Sequence, residues 1–215
     1  VVIRGTKGKK NMIKNMIFDM GQVLIHWRPD MFTAQFELDA AEEALLMKEV
    51  FKNIEWPQLD RGTVSEDDAV ASICTRLPEH LHPMAAKIVY EWWQRPLVPM
   101  EGMEELIREL KENGYKIYLL SNASSDFHER RSGIPALAFF DGVLISADYK
   151  LLKPEKEIYE ALYEKFSLNP EECFFIDDVQ KNIDGAKATG MDGHCYYHGD
   201  VEILKADLRS KGVNI

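Results

Sequence analysis

The chain has 215 residues, 46% of them hydrophobic and 10% aromatic, enough for a substantial core and too many for global disorder. Its formal net charge of -10 excludes the basic footprint that nucleic acids and anionic membranes require, so neither is expected as a partner. Three scattered cysteines, Cys74, Cys173 and Cys195, form no metal-ligand pair and fit a reducing, cytoplasmic setting.

Residues 1–11 are basic, lack the apolar stretch of a signal peptide and read as a disordered tail, with Met12 an alternative start. MIKNMIF (12–18) reads as a buried strand ending at Asp19, and GQVLIHW as a turn and a short extended piece. From Arg28 to Pro96 the pattern turns helical. Leu38, Leu45, Leu46 and Val50 fall at three- and four-residue spacings, WPQLDRGTVS breaks the pattern at Pro57 and Gly62, and Ser65 caps an acidic first turn. A further helix, HPMAAKIVYEWWQRP, ends at Pro96.

Strands and helices alternate from Val98 onward. EGMEELIRELKENGY is an amphipathic helix closed near Gly114, followed by the strand YKIYLL, a strand in FFDGVLIS, and a helix with Pro154 at its start. CFFI leads to Asp177, a helix begins near Ile183, and GHCYY is the last strand. The order predicts a doubly wound, mainly parallel Rossmann-like α/β sheet, with core residues 12–27 and 97–215 and a small helical insertion over 28–96.

Chemistry-bearing residues stand where strands end, which is where open α/β sheets bind ligands. Asp19 ends a buried strand, where a carboxylate is costly unless paired, metal-bound or reactive. Asp177 and Asp178 point opposite ways in an extended chain, so one can bind a cation while the other acts through water or holds Lys153. Ser121 and Asn122 suit an anionic oxygen, and Lys153 can neutralise it. Asn182 either orients a metal-bound water or caps its helix.

Asp19, Ser121, Lys153 and the Asp177–Asp178 pair, in this order, resemble the motifs of the haloacid dehalogenase superfamily from about Met16 to Tyr197. The resemblance makes residues 28–96 a cap that selects substrate. Within it, LDRGTVSEDD is similar to a segment of sugar-phosphate phosphatases, and the nearest branch includes the α-D-glucose-1-phosphate phosphatases. It implies Asp19 as nucleophile and Lys153 as its catalytic partner. Ser121, Asn122 and Lys153 then hold the phosphoryl group, and Mg2+ is held by Asp19, the Gly21 carbonyl, Asp178 and neighbouring Asp177; Arg61 is the cap's candidate for substrate binding. Arg61 either reaches substrate or pairs with a cap carboxylate.

One departure stands out. Most phosphatases of the superfamily carry an aspartate as general acid two residues after the nucleophile, whereas here, as in the nearest branch, that residue is Gly21, with His26 a candidate replacement. The expected function is Mg-dependent hydrolysis of a small phosphorylated metabolite such as a hexose 1-phosphate, through an aspartyl-phosphate, by a monomer or weak homodimer. The alternatives are a metal-free 2-haloacid dehalogenase and a non-catalytic phosphate-ligand binding protein. One of Trp92 and Trp93 lines the mouth of the site, or both belong to the cap core.

Overall fold

The structure, a computed structural model, describes residues 12–91 and 97–215. Five parallel strands form one sheet: β1 (Asn15–Phe18), β2 (Lys116–Ser121), β3 (Gly142–Ile145), β4 (Cys173–Asp177) and β5 (Asp192–Cys195), in the order β3-β2-β1-β4-β5. The central strands are continuous apolar runs because both sheet faces are covered. Successive side chains alternate between those faces. Met16 and Phe18 join Leu119 and Ile176 in one core, whereas Ile17 joins Leu120 and Phe175 in the other.

The first face is covered by α6 (Met103–Glu112), which buries Met103, Leu106, Ile107 and Leu110 at helical spacing, and by α11 (Val201–Ser210). The second is covered by α9 (Lys156–Phe166) and α10 (Gln180–Ala188). Two short helices, α7 (Phe127–Arg130) and α8 (Ser146–Tyr149), follow β2 and β3.

The insertion is helical: α1 (Asp30–Thr33), α2 (Ala40–Leu46) continued by a π-turn over Met47–Phe51, α3 (Glu55–Arg61), α4 (Glu66–Cys74) and α5 (His82–Glu91). It has its own core, including Phe32, Leu46, Val50, Ile73, Leu81 and Ile88. The Ser65 hydroxyl accepts from Asp68 N at 3.1 Å, which confirms the cap at the start of α4.

Three local expectations are corrected. Pro57 does not break a helix, because it lies in the first turn of α3, where a missing N–H costs nothing. The helix ends instead at Gly62, whose φ of +67° is the left-handed closing conformation. Pro154 precedes α9 rather than opening it, and α10 starts at Gln180, three residues before Ile183. The predicted tail and the residues Trp92, Trp93 and Pro96 lie outside the described residues. No helix among the described residues is long and apolar enough to cross a membrane.

Candidate active site

The central strands β1, β2 and β4 end together, so Asp19, Ser121 and Asp177 arrive at one edge of the sheet. Asp19 N donates to Ile176 O at 2.9 Å, which keeps the residue in register just past β1. Lys153 Nζ is buried between two carboxylates, 2.8 Å from Asp19 Oδ1 and 2.7 Å from Asp177 Oδ2, and donates to Leu120 O at 3.0 Å. Burial alone pushes an ammonium down, but Asp177 and Asp19 overcome it and hold Lys153 above the ordinary lysine value.

The two acids of the pair have separate tasks. Asp177 accepts from Lys153, from Val179 N at 2.8 Å and from the Asn182 amide at 3.0 Å to each oxygen. Its oxygens are committed to holding neighbours in place, and Asn182 serves Asp177. Asp178 instead faces the cavity, where burial and the charges of Asp19 and Asp177 push its carboxyl up to about 6. Burial likewise pushes Asp19 up, with Lys153 opposing and Asp177 adding to the rise. Asp19 Oδ1 is buried without an aligned hydrogen bond.

Carboxylate oxygens of Asp19, Asp177 and Asp178 all lie within 4.8 Å of one another. Among the described residues the Gly21 carbonyl accepts no backbone hydrogen bond. An all-oxygen donor set with a surplus of negative charge fits a hard divalent cation.

Beside these groups is a cavity of about 200 Å³. Its polar lining comes from Asp19, Asp60, Ser121, Asn122, Ser124 and Asp178, and its apolar wall from Met20, Ile25, Trp27 and Trp56. Ser124 Oγ is buried there without a hydrogen-bond partner. An apolar side cleft shares Met20, Ile25, Ala123 and Ser124 and runs on to Leu97, Phe127 and Ile134.

Two sequence expectations change at this point. Arg61 does not line the cavity: its guanidinium forks onto Glu155 of the core and donates to Lys150 O at 3.1 Å. It pairs with a carboxylate of the core rather than of the cap. His26, the candidate replacement acid, is exposed and lies outside the cavity lining. Asn122 lines the cavity but spends its side chain on the Lys153 backbone, with Lys153 N donating to Oδ1 at 2.9 Å. Sequence reasoning missed Asp60, Ser124, Trp27 and Trp56. Asp60 stands one residue before the Arg61 that was singled out.

A family model described as haloacid dehalogenase-like hydrolase matches residues 13–190. The chain belongs to that family. It is 30% identical over 181 residues to the sesquiterpene phosphatase astK of Aspergillus oryzae, covering 84% of this chain and 88% of that protein. The fold is similar to that of the HAD family enzyme bt-2542 of Bacteroides thetaiotaomicron, with a TM-score of 0.63, 25% identity, and coverage of 86% of this chain and 93% of that one. Another structure of that enzyme, in complex with magnesium and inorganic phosphate, superposes with a TM-score of 0.57 at 24% identity over 85% of this chain and 93% of that one. This member of the hydrolase family carries the acids, hydroxyl and lysine in one buried constellation, capped by its helical insertion.

Proposed function

We propose that the chain is a Mg2+-dependent phosphatase that hydrolyses a phosphate monoester through an aspartyl-phosphate on Asp19. The observation that carries this reading is the exposure of Asp19 to a cavity shared with Ser121 and Asp178, while Lys153 is locked between Asp19 and Asp177. Asp19, the Gly21 carbonyl and Asp178 would hold the ion, with Asp177 securing the lysine. Bound there, the ion would neutralise phosphate charge. Ser121 would bind a phosphoryl oxygen, Lys153 would orient the Asp19 carboxylate from its place between Asp19, Asp177 and Leu120 O, and Asn122 fixes the lysine backbone. The relative from Aspergillus oryzae is a phosphatase by name, and the Bacteroides enzyme binds magnesium and phosphate, which supports the same chemistry here.

A metal-free dehalogenase fits less well, because three clustered carboxylates against one lysine leave an uncompensated charge in a buried site. For the alcohol, the apolar wall of Trp27, Trp56, Met20 and Ile25 favours an apolar group over a polar one. The hexose 1-phosphate suggested by sequence is the competing substrate, since indole faces also pack against sugar rings.

Phosphate release from a prenyl phosphate, glucose 1-phosphate and an aryl phosphate decides between them. Release that requires Mg2+, stops with chelator and vanishes in Asp19→Asn is the expected result. Halide release from a 2-haloacid in the presence of chelator would replace this reading, and saturable binding without turnover would leave a phosphate-binding protein.

A further inference from the structure

We propose that Asp60, delivered by the cap, is the proton donor to the leaving alcohol. The inference rests on the phosphatase reading above. A phosphate ester of an ordinary alcohol leaves as a basic alkoxide unless an acid protonates it. Position 21 has no side chain, and Trp27 stands over it, its Cβ 3.4 Å from where a Cβ at Gly21 would be.

The other ionisable groups at the cavity are already occupied. Asp19 attacks, Asp178 faces the cation site, and Lys153 is clasped by two carboxylates. Asp60 remains, close enough to Asp19 and Lys153 to feel both charges, with no hydrogen bond to its carboxylate among the described residues. Burial, with the Asp19 charge adding to it, raises that carboxyl, in the direction an acid needs, and Asp60 lines the same cavity as Asp19 and Ser121.

Its placement is secured on both sides. The fully buried Ser146 hydroxyl donates to Asp60 O at 2.5 Å, Arg61 grips Glu155, and Lys150 Nζ donates to Gly62 O. The last turn of α3 is thereby fastened to the core, with Asp60 over the site. Asp60 also lines a small adjoining pocket with Trp56 and Ser124, on the side of the aromatic wall where an alcohol would rest.

In the first step Asp19 forms an O–P bond while the P–O bond to the alcohol breaks. The bonding pair goes to the leaving oxygen, which takes the Asp60 proton, so the free alcohol departs and Asp60 becomes a carboxylate. In the second step water attacks phosphorus and gives a proton to Asp60. The P–O bond to Asp19 breaks, releasing inorganic phosphate and restoring both groups.

The test measures kcat/KM over phosphate monoesters whose alcohols run from acidic nitrophenol to basic alkyl alcohols. It uses Mg2+-loaded wild type, Asp60→Asn and Asp19→Asn. The proposal expects Asp60→Asn to lose about a hundredfold or more on alkyl esters and less than about tenfold on nitrophenyl phosphate, steepening the dependence on leaving-group basicity. The residual aryl activity shows that the variant is folded. An equal loss on all esters, or no loss, overturns the role of Asp60 and leaves the Asp19 reading intact if Asp19→Asn is dead. Release that survives Asp19→Asn, or none from wild type on any ester, overturns both.

Discussion

Asp178 is the residue whose environment sets the terms for metal binding. Its carboxyl is raised to about 6 by burial and by Asp19 and Asp177, so protons compete with a cation for it below that pH. A raised acid also makes the metal-free protein less stable as pH climbs through the interval from the ordinary aspartate value to about 6, since the native state then binds more protons than the unfolded one. The expected outcome is a Mg2+-induced rise in Tm that is large at pH 7.5 and small at pH 5. An equal rise at both values would take the cation away from Asp178.

Asp19, Ser121, Lys153 and the Asp177–Asp178 pair were legible in the chain because each follows an apolar run or opens a helix. Asp60 was not. Consecutive residues on a helix point about 100° apart, so Asp60 and Arg61 cannot both face the cavity. Which one does depends on how α3 docks against α8, a tertiary fact without local signature. The division of labour between Asp177 and Asp178 was hidden for a similar reason, since Asn182 reaches Asp177 only after α10 has folded back.

At the scale of elements, one arginine ties pieces of the cap together around its apolar core. Arg76 in the turn after α4 donates to Glu49 at 2.7 Å and forks onto Glu55 at 2.8 and 2.9 Å, joining the π-turn to α3. Both glutamate side chains are almost wholly buried. Lys48 and Arg76 hold Glu49 down at about 2, so this contribution is complete above the ordinary glutamate range and is lost as pH falls towards 2. Arg76→Leu removes the shared cation from two buried carboxylates, leaving Glu49 with Lys48 and Asn53 and Glu55 with Ser72. The arginine is about a third exposed, so the expected cost is at the lower end of roughly 3–5 kcal/mol, read from urea unfolding. A change within about 0.5 kcal/mol would mean that water already serves these glutamates. The helical texture of 28–96 was readable from sequence, yet Pro57 misled because its position within the first turn depends on where α3 begins.

Across the whole molecule, the contact between cap and core is polar and narrow. Arg61 with Glu155 is a forked pair whose side chains are about a third exposed, worth on the order of 1 kcal/mol. Glu155→Gln is therefore expected to weaken the hold of α3 on the core by about fivefold. The rise should appear in KM for a slowly turned-over ester more than in the stability of either layer. An unchanged KM together with a lower Tm would make the pair a structural brace instead.

Substrate choice and proton supply share one hinge of chemistry, because the carbonyl that Ser146 grips and the carboxyl offered to the alcohol belong to the same residue. An alcohol whose bulk keeps α3 off the core forfeits its proton as well as its fit. Discrimination against misfits is then the product of two penalties, and a cap exchanged for another would change which bonds the core can break along with which molecules it admits.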